Sequence, residues 1–375
     1  MSQNPIGRRS FLRKSALAGG AATAGVLAAP PVVGQSPITM RMQTSWPASN
    51  IWQQMAQQYA DRVEAMSGGR IQVDLLPAGA VVGAFQVIDA VSDGGLDASH
   101  SVSAYWYGKN RAASLFGTGP VFGQDARNLQ SWFYAGDGKQ LFDELVRDEM
   151  GLNVDGYFGM PMPAQPFGWF TSPFESMSDI EGSRYRTVGL ATNLLQNMGL
   201  SVAQLPGGEI VPAMERGVLD AFEFNNPSSD RDFGAQDVAS NYYLGSFHQA
   251  NEMFEYLFNQ DFMDSLDDDL RAILIHSVEA ASTANYALAL DQYSADLQWL
   301  QNEGGVTVHR TPQSVMDQQL VAWEDLISEL EEEDIMRRIL DSQRSWVERT
   351  AYYELMNAPD YQAAYNHFFP ETLKL

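Results

Sequence analysis

The stretch Gly207-Gly208-Glu209-Ile210-Val211-Pro212-Ala213-Met214-Glu215-Arg216-Gly217-Val218-Leu219-Asp220-Ala221-Phe222-Glu223 contains the pattern that decides the fold. It reads as a glycine turn, a short amphipathic helix over residues 210–216, a glycine stop at Gly217 and a short apolar strand. In α/β proteins the far end of such a strand faces a ligand. The stretch therefore predicts an α/β fold with Glu223 at a strand end.

The same order of elements occurs earlier in the chain. Gly94-Gly95-Leu96-Asp97-Ala98 matches residues 217–221, and each copy follows an amphipathic helix. Each helix is preceded by a similar turn, Leu-Pro-Ala-Gly at residues 76–79 and Leu-Pro-Gly-Gly at residues 205–208. Two such units predict two similar lobes; a chance match of so short a pattern is the alternative.

The remaining periodicity supports this architecture. Residues 38–43 alternate as a strand, Asn50 can cap a helix to about Met66, and residues 71–75 form the next strand. This strand–helix–strand rhythm predicts largely parallel sheets.

From about residue 266 the pattern is mostly helical. Long helices are predicted over residues 270–300 and 313–350, with a short strand at residues 306–308 between them. The acidic run at residues 329–334 is interpreted as a solvated helix face.

Composition limits the function. The chain has 375 residues, which suits two domains, and 47 acidic against 23 basic residues, which disfavours nucleic acids and anionic lipids as partners. It has no cysteine, so disulfides, thiolate metal sites and a cysteine nucleophile are excluded. Its five histidines are scattered, and no phosphate-binding loop, dinucleotide fingerprint, EF-hand or nucleophile elbow occurs. No motif nominates an enzyme.

The first 36 residues read as an export signal. Arg8, Arg9, Arg13 and Lys14 precede an Ala/Gly-rich stretch that ends at two prolines, and residues 7–14 resemble the twin-arginine motif. Cleavage is expected between Ala29 and Ser36. A basic N-terminal tail without this role is the alternative. The expected location of the mature protein is the periplasm.

Two segments resemble one family. Residues 179–186, Asp-Ile-Glu-Gly-Ser-Arg-Tyr-Arg, are similar to the D-x-x-G-x-x-x-R stretch of the solute-binding proteins of TRAP transporters, the DctP family, and residues 207–223 resemble the family's second motif. The resemblance covers nearly the whole mature chain and is strongest to a metal-dependent subgroup that binds 2-oxo or 2-hydroxy acids. It implies a two-lobe periplasmic binding protein fold with a cleft between the lobes and a long C-terminal helical region. We expect lobe I at residues 37–163 and 251–290, and lobe II at 164–250 and 291–375.

Three residues are the main site candidates. Arg186 ends a predicted strand, where a guanidinium offers a planar fork to a carboxylate; a surface ion pair is the alternative from spacing alone, and the resemblance favours the ligand role. Glu223 lies in an apolar context and needs a cation, supplied by a ligand site or an internal salt bridge. Gln165 can donate and accept near an expected crossing between the lobes; an ordinary loop glutamine is the alternative.

Two aromatic residues and two asparagines are further candidates. Trp46 and Tyr105 could wall the pocket, although such aromatics are more often core residues. Asn225 and its neighbour Asn226 lie at the same strand end as Glu223 and could add polar contacts.

The resemblance also implies a cation between protein and substrate. Its ligands would be the side chains of Gln165, Glu223 and Gln249 and the backbone carbonyl of Phe224. Family members typically place a glutamate where this chain has Gln249. With one carboxylate fewer, the charge count suits sodium better than calcium. Alternatively, Gln249 has abolished the cation site and hydrogen-bonds the ligand directly.

The resulting prediction is a periplasmic receptor that binds a small carboxylic acid and delivers it to TRAP membrane subunits. The alternatives are a periplasmic enzyme acting on a small carboxylate and a receptor that senses the acid. The resemblance to the metal-dependent subgroup also implies a helix-swapped homodimer, and the C-terminal region offers much apolar surface for one. That surface is formed by Leu320, Trp323, Leu326, Ile327, Leu330, Ile335 and Ile339. Packing of these residues across the back of the lobes is the alternative.

Overall fold

The computed structural model describes residues 36–370, 372 and 373, so the predicted export signal lies outside the described residues except for Ser36. The strands of this part are β1 (Ile38–Thr44), β2 (Ile71–Leu76), β3 (Ala98–Ser101), β4 (Val154–Pro161), β5 (Gly168–Phe170), β6 (Arg184–Arg186), β7 (Ser201–Ala203), β8 (Ala221–Phe222), β9 (Asn241–Leu244), β10 (Met253–Asn259) and β11 (Thr307–Arg310).

The α-helices are α1 (Ile51–Ser67), α2 (Val87–Ser92), α3 (Ala126–Ala135), α4 (Gly138–Asp143), α5 (Met177–Ile180), α6 (Ala191–Asn197), α7 (Ile210–Glu215), α8 (Pro227–Asp232), α9 (Ala235–Val238), α10 (Gln260–Ser265), α11 (Asp268–Asn302), α12 (Gln313–Leu330), α13 (Asp334–Asn357) and α14 (Tyr361–Phe368). Short 3₁₀ helices precede α2 and α7, and two more follow β3 at Ser103–Trp106 and Arg111–Phe116. In the described part of the chain, no helix is both long and apolar enough to cross a membrane.

The strands form two sheets, one in each lobe. The first has the order β2-β1-β3-β10-β4 and the second β11-β9-β5-β8-β6-β7. The prediction of largely parallel sheets is wrong in one respect, because β10 runs antiparallel to both of its neighbours and so does β5. These are the strands that the chain enters on crossing from the other lobe. The chain arrives at the edge of the sheet where the parallel strands have their C-terminal ends. A strand that begins at this edge therefore runs antiparallel to them.

The repeated sequence unit is a repeated structural unit. Asp97 accepts a hydrogen bond from the backbone N–H of Arg41 in β1 (2.7 Å), and Asp220 accepts the equivalent bond from Arg184 in β6 (2.9 Å). Ala98 pairs with Met42, and Ala221 pairs with Tyr185, in the same parallel register. Each aspartate therefore aligns the strand after its helix with the strand two places earlier in the chain, β3 with β1 and β8 with β6, as two similar lobes require.

The helical C-terminal region differs from its prediction at two points. Residues 313–350 do not form one helix, because α12 ends at Leu330 and α13 begins at Asp334, so the acidic run is partly a turn. Helix α13 also packs on first-lobe elements, with Arg338 paired to Glu144 and the Gln343 amide donating to the Leu115 carbonyl at 2.8 Å. The expected assignment of residues 291–375 to lobe II therefore does not describe α13.

The two lobes touch along the cleft. The backbone N–H of Ile51, at the start of α1, donates to Asp232 of α8 at 2.9 Å, and the Tyr107 hydroxyl donates to Asn193 at 2.7 Å. A β-carbon on Gly189 would lie 3.1 Å from that of Ala104, so the backbones of the two lobes approach closely there. The structure is a closed form.

Gly168 provides a test of how tightly β5 is packed. Its φ is +111°, and an added β-carbon would lie 2.2 Å from the carbonyl oxygen of Phe222. We expect Gly168→Ala to lower the free energy of unfolding by about 3 kcal/mol, because the strain and the clash both fall on backbone atoms. Chemical denaturation followed by tryptophan fluorescence measures the change.

Gly208→Ala is the matched control, since nothing lies within 4 Å of its added β-carbon. It should change the free energy of unfolding by less than about 0.5 kcal/mol. Equal stability of the two variants would show that β5 and β8 can separate without cost.

Candidate ligand-binding site

The predicted site residues follow strand ends that meet between the lobes. Arg186 is the last residue of β6, Glu223 follows β8, and Gln165 lies in the segment from β4 to β5. Gln249 lies in the returning segment from β9 to β10, and its carbonyl accepts the Gln165 backbone N–H at 3.2 Å. Both crossing segments and two strand ends of the second sheet therefore contribute to one site, as the topological switch of an α/β fold requires.

Arg186 is held in place by the protein itself. Its side chain is 1% exposed; Nε donates to the Leu205 carbonyl at 2.8 Å, and Nη1 donates to both the carbonyl and the carboxylate of Glu223, at 2.7 and 2.9 Å. Nη2 has no hydrogen-bond partner among the residues described. A buried guanidinium with one fixed and one unpaired amino group is preorganised to bind an anion.

Glu223 has one paired and one unpaired oxygen. Its Oε1 accepts from Arg186, while Oε2 has no partner within residues 36–370. Burial raises the pKa of Glu223 to about 7, and the charge of Arg186 and the Thr187 hydroxyl act in the opposite direction. One guanidinium therefore does not compensate fully for the burial of this carboxylate.

Gln165 and Gln249 each use the amide nitrogen and keep the oxygen unpaired. The nitrogen of Gln165 donates to Glu252, and that of Gln249 donates to the Val188 carbonyl at 3.3 Å. The oxygens Gln165 Oε1 and Gln249 Oε1 are buried, and neither has a partner in the described chain. With Glu223 Oε2 they supply three unpaired oxygens, the donor type that sodium and calcium take.

Glu252 is a site residue that the sequence reasoning missed. It is 3% exposed, accepts from Gln165 and from the Asn225 amide (3.2 Å), and lies near Glu223. Burial raises its pKa to about 8, and the neighbouring charge of Glu223 acts in the same direction. The sequence signal for it was weak, because Glu255 in the otherwise largely apolar strand β10 has a similar context and bonds to Trp106 instead.

The two asparagines after Glu223 have different roles. Asn225 contacts the site through Glu252, whereas Asn226 caps α8 by accepting from the backbone of Ser228 and Ser229. Asp230 is also buried below this loop, where it accepts from Trp169 at 2.8 Å and from Tyr242 at 3.2 Å. The asparagine and aspartate bonds hold the loop that carries Glu223 in place.

Of the two aromatic residues predicted to line the pocket, Tyr105 is the one near Arg186. Burial raises the pKa of Tyr105, and the charge of Arg186 lowers it. Trp46 is fully buried, packs against Tyr105 and Trp52, and donates its indole N–H to His100 at 2.7 Å. The polar edge of Trp46 is therefore already used within the first lobe.

The site is enclosed and poor in metal-binding side chains of the usual kind. Arg186, Glu223, Gln165, Gln249 and Tyr105 are at most 8% exposed. The part of the chain that the structure describes has no group of three or more His, Cys, Asp or Glu able to hold a metal. A groove of about 630 Å³ between the start of α1 and helices α8 and α11 contains none of these residues and lies at the rim of the cleft.

Two α/β lobes that enclose a buried arginine and unpaired oxygens define a ligand-binding protein of the two-lobe periplasmic class. The chain belongs to the DctP family, the bacterial extracellular solute-binding proteins of family 7, whose model matches residues 42–333. Members of this family are receptors that pass solutes to transporters, so the chain is a solute receptor and not an enzyme.

Three relatives illustrate the likeness. A monocarboxylate 2-oxoacid-binding periplasmic protein of Nostoc is 32% identical over 258 residues, 69% of each chain. A TRAP solute-binding protein of Bordetella bronchiseptica, a dimer with calcium and picolinate in one site, is 27% identical (TM-score 0.82; 89% of this chain, 98% of that one). One from Pseudoalteromonas atlantica, with sodium and pyruvate, is 28% identical (TM-score 0.80; 89% and 99%).

Proposed function

We propose that the protein binds a small 2-oxo monocarboxylate, with the ligand carboxylate on Arg186. The observation that carries this proposal is the unpaired Nη2 of a guanidinium that is otherwise fixed and buried. A buried donor without a partner costs free energy that an anionic ligand restores. The Nostoc relative binds 2-oxo acids, and the Pseudoalteromonas relative holds pyruvate, which favours the same class here.

The proposal includes a cation beside the ligand. Gln165, Glu223, Gln249 and the carbonyl of Phe224 would hold it, and Glu252 is added to that set because it bonds to Gln165. The unpaired oxygens described above fit a hard cation. Its contribution is positive charge in a site whose two carboxylates both have raised pKa values.

The charge count with Glu252 changes the expected ion. Glu223, Glu252 and the ligand carboxylate supply three negative charges, and Arg186 supplies one positive charge. A divalent ion balances the remainder, so calcium replaces sodium as the proposed ion. Sodium is favoured only when Glu252 is left out of the count.

The first prediction for this site concerns Arg186. We expect Arg186→Met to weaken binding of 2-oxobutanoate by about 100-fold, because a charge-assisted pair in a dry cleft contributes about 1.5–3 kcal/mol. Arg186→Lys should recover part of the loss, since it keeps the charge without the fork. Calorimetric titration measures the affinities, and the melting temperature reports whether each variant is folded.

Arg184→Met is the matched control, because Arg184 lies on the same strand but is exposed and pairs with Asp220. It should bind as the wild type does. Normal affinity in folded Arg186→Met would contradict the proposed ligand anchor.

A second prediction concerns the cation. After dialysis against a chelator in potassium buffer, added calcium should raise the affinity for 2-oxobutanoate by about tenfold or more, and more than sodium does. Glu252→Gln should remove the preference for calcium over sodium, because it removes one negative charge from the site. Glu255→Gln is the control, since that buried carboxyl bonds to Trp106 instead. Equal affinity with and without either ion would exclude a cation from the site.

Export and delivery follow from the family. The family is extracellular, and the basic Ala/Gly-rich segment of residues 1–36 fits a cleaved twin-arginine signal, so we infer a periplasmic location. The partner that receives the ligand would be a pair of TRAP membrane subunits.

A homodimer is proposed from a different surface than the sequence suggested. Leu326, Leu330 and Ile339 are buried within the chain, so they cannot supply the interface. The end of α13 and the region of α14 instead expose seven large apolar or aromatic side chains, those of Tyr352, Tyr353, Leu355, Met356, Tyr361, Phe368 and Phe369. A surface of this kind requires a partner, and the Bordetella relative is a dimer.

The third prediction tests this surface. The double variant Leu355→Glu/Phe368→Glu should convert a dimer into a monomer, because both side chains are at least 70% exposed in the single chain. Light scattering after size exclusion measures the mass. Val218→Glu, a 50% exposed apolar residue of the second lobe, is the control and should remain dimeric. A monomeric wild type would contradict the proposal.

A further inference from the structure

Two hydroxyls of the first lobe are buried at the cleft without a partner. Ser103 begins the 3₁₀ helix that follows β3, and Ser114 lies in the next 3₁₀ helix. Both residues are fully buried, and neither Oγ makes a hydrogen bond within the described residues. By contrast, Ser45, directly after β1, and Ser101, at the end of β3 in the same lobe, bond to each other at 2.8 Å.

Ser103 lies beside the proposed cation site. A β-carbon added to Gly117 would lie 3.1 Å from Ser103 Oγ and 3.9 Å from Glu252 Oε1. The hydroxyl of Ser103 and the carboxylate of Glu252 therefore both lie next to Gly117, where a side chain would crowd them. Ser103 thus extends the polar region from Glu252 into the first lobe.

Ser114 reaches the other side of the same region. A β-carbon on Gly189 would lie 3.1 Å from Ser114 Oγ, and the φ of Gly189 is +64°. Gly189 directly follows Val188, whose carbonyl accepts the amide of Gln249. The closed first lobe therefore presents one hydroxyl near Glu252 and a second at Gly189, next in the chain to the residue that Gln249 contacts.

A buried hydroxyl without a partner is costly, whereas an alanine of the same size at that position is not. Two such hydroxyls at the contact between the lobes are therefore suited to a ligand that supplies hydrogen bonds there. The carboxylate end of the ligand is bound by Arg186 of the second lobe, so the first-lobe hydroxyls face the remainder of the molecule.

We propose that the preferred ligand is a 2-oxo acid with a hydroxyl or similar hydrogen-bonding group on its chain, and that Ser103 and Ser114 bind this group. The inference rests on the proposed function and specifies the substrate class of the same site. Sites built to hydrogen-bond a ligand hydroxyl discriminate strongly against analogues that lack it. Unsubstituted acids such as pyruvate are then secondary ligands.

The experiment compares acids that differ by one hydroxyl. The purified protein, with calcium present, is titrated calorimetrically with 2-oxopentanoate and with its 4-hydroxy and 5-hydroxy derivatives. We expect at least one hydroxylated acid to bind about tenfold tighter than 2-oxopentanoate. Ser103→Ala or Ser114→Ala should remove most of this advantage, so that the hydroxylated acids and 2-oxopentanoate bind with similar affinity.

Ser99→Ala is the matched control. Ser99 is also buried and its hydroxyl is unpaired in the described chain, but it lies on β3 opposite Leu257, before the strand reaches the cleft. This variant should keep the wild-type preference. Melting temperatures confirm that all three variants are folded.

The outcomes separate the preference for a hydroxyl from carboxylate binding itself. If all three acids bind with equal affinity while Arg186→Met abolishes binding, the proposed function stands and the inference about Ser103 and Ser114 is wrong. Tighter binding of 2-oxopentanoate than of both hydroxylated acids would also overturn that inference. If none of the acids binds, or if Arg186→Met has no effect, the proposed function itself fails.

Discussion

The structure depends on a buried ion pair between Arg186 and Glu223. Both side chains are 1% exposed, and breaking such a pair leaves an uncompensated charge that costs about 3–5 kcal/mol. The pair exists because β6 and β8 run parallel with Arg186 opposite Phe222, and Asp220 maintains that register through the backbone N–H of Arg184. The strand pairing that builds the second lobe therefore also positions its ligand anchor, Arg186.

The strands of the first lobe pair in the same way, but the residues equivalent to Arg186 and Glu223 do not form an ion pair. In its equivalent register, Gln43 takes the position of Arg186 and His100 takes that of Glu223. Gln43 uses its amide to fix the backbone of Val81 and Val82, and His100 accepts from Trp46. Both polar groups thus serve the lobe's own structure. This asymmetry explains why the second lobe anchors an anion and the first lobe covers it.

Local pattern was enough to predict much of this architecture. Asn50 caps α1, the repeated glycine-aspartate unit precedes β3 and β8, and the predicted residues Arg186, Glu223 and Gln165 come together. Long-range geometry was not predictable in the same way. The direction of β5 and β10 depends on where the chain crosses between lobes, and Glu252 joins the site through Gln165, which lies 87 residues away. No short motif records such a contact.

Glu252 also changes the charge balance that ligand binding has to satisfy. With Glu223 it places two carboxyls in an enclosed space beside a single guanidinium, and burial raises the pKa of both. An anion entering alone would add a third negative charge to a region that already lacks positive charge. The arginine therefore orients the ligand carboxylate but does not supply the full charge balance for it. Affinity and specificity must come from two further sources, a cation among the amide and carboxylate oxygens and hydrogen bonds from the lobe that closes over them.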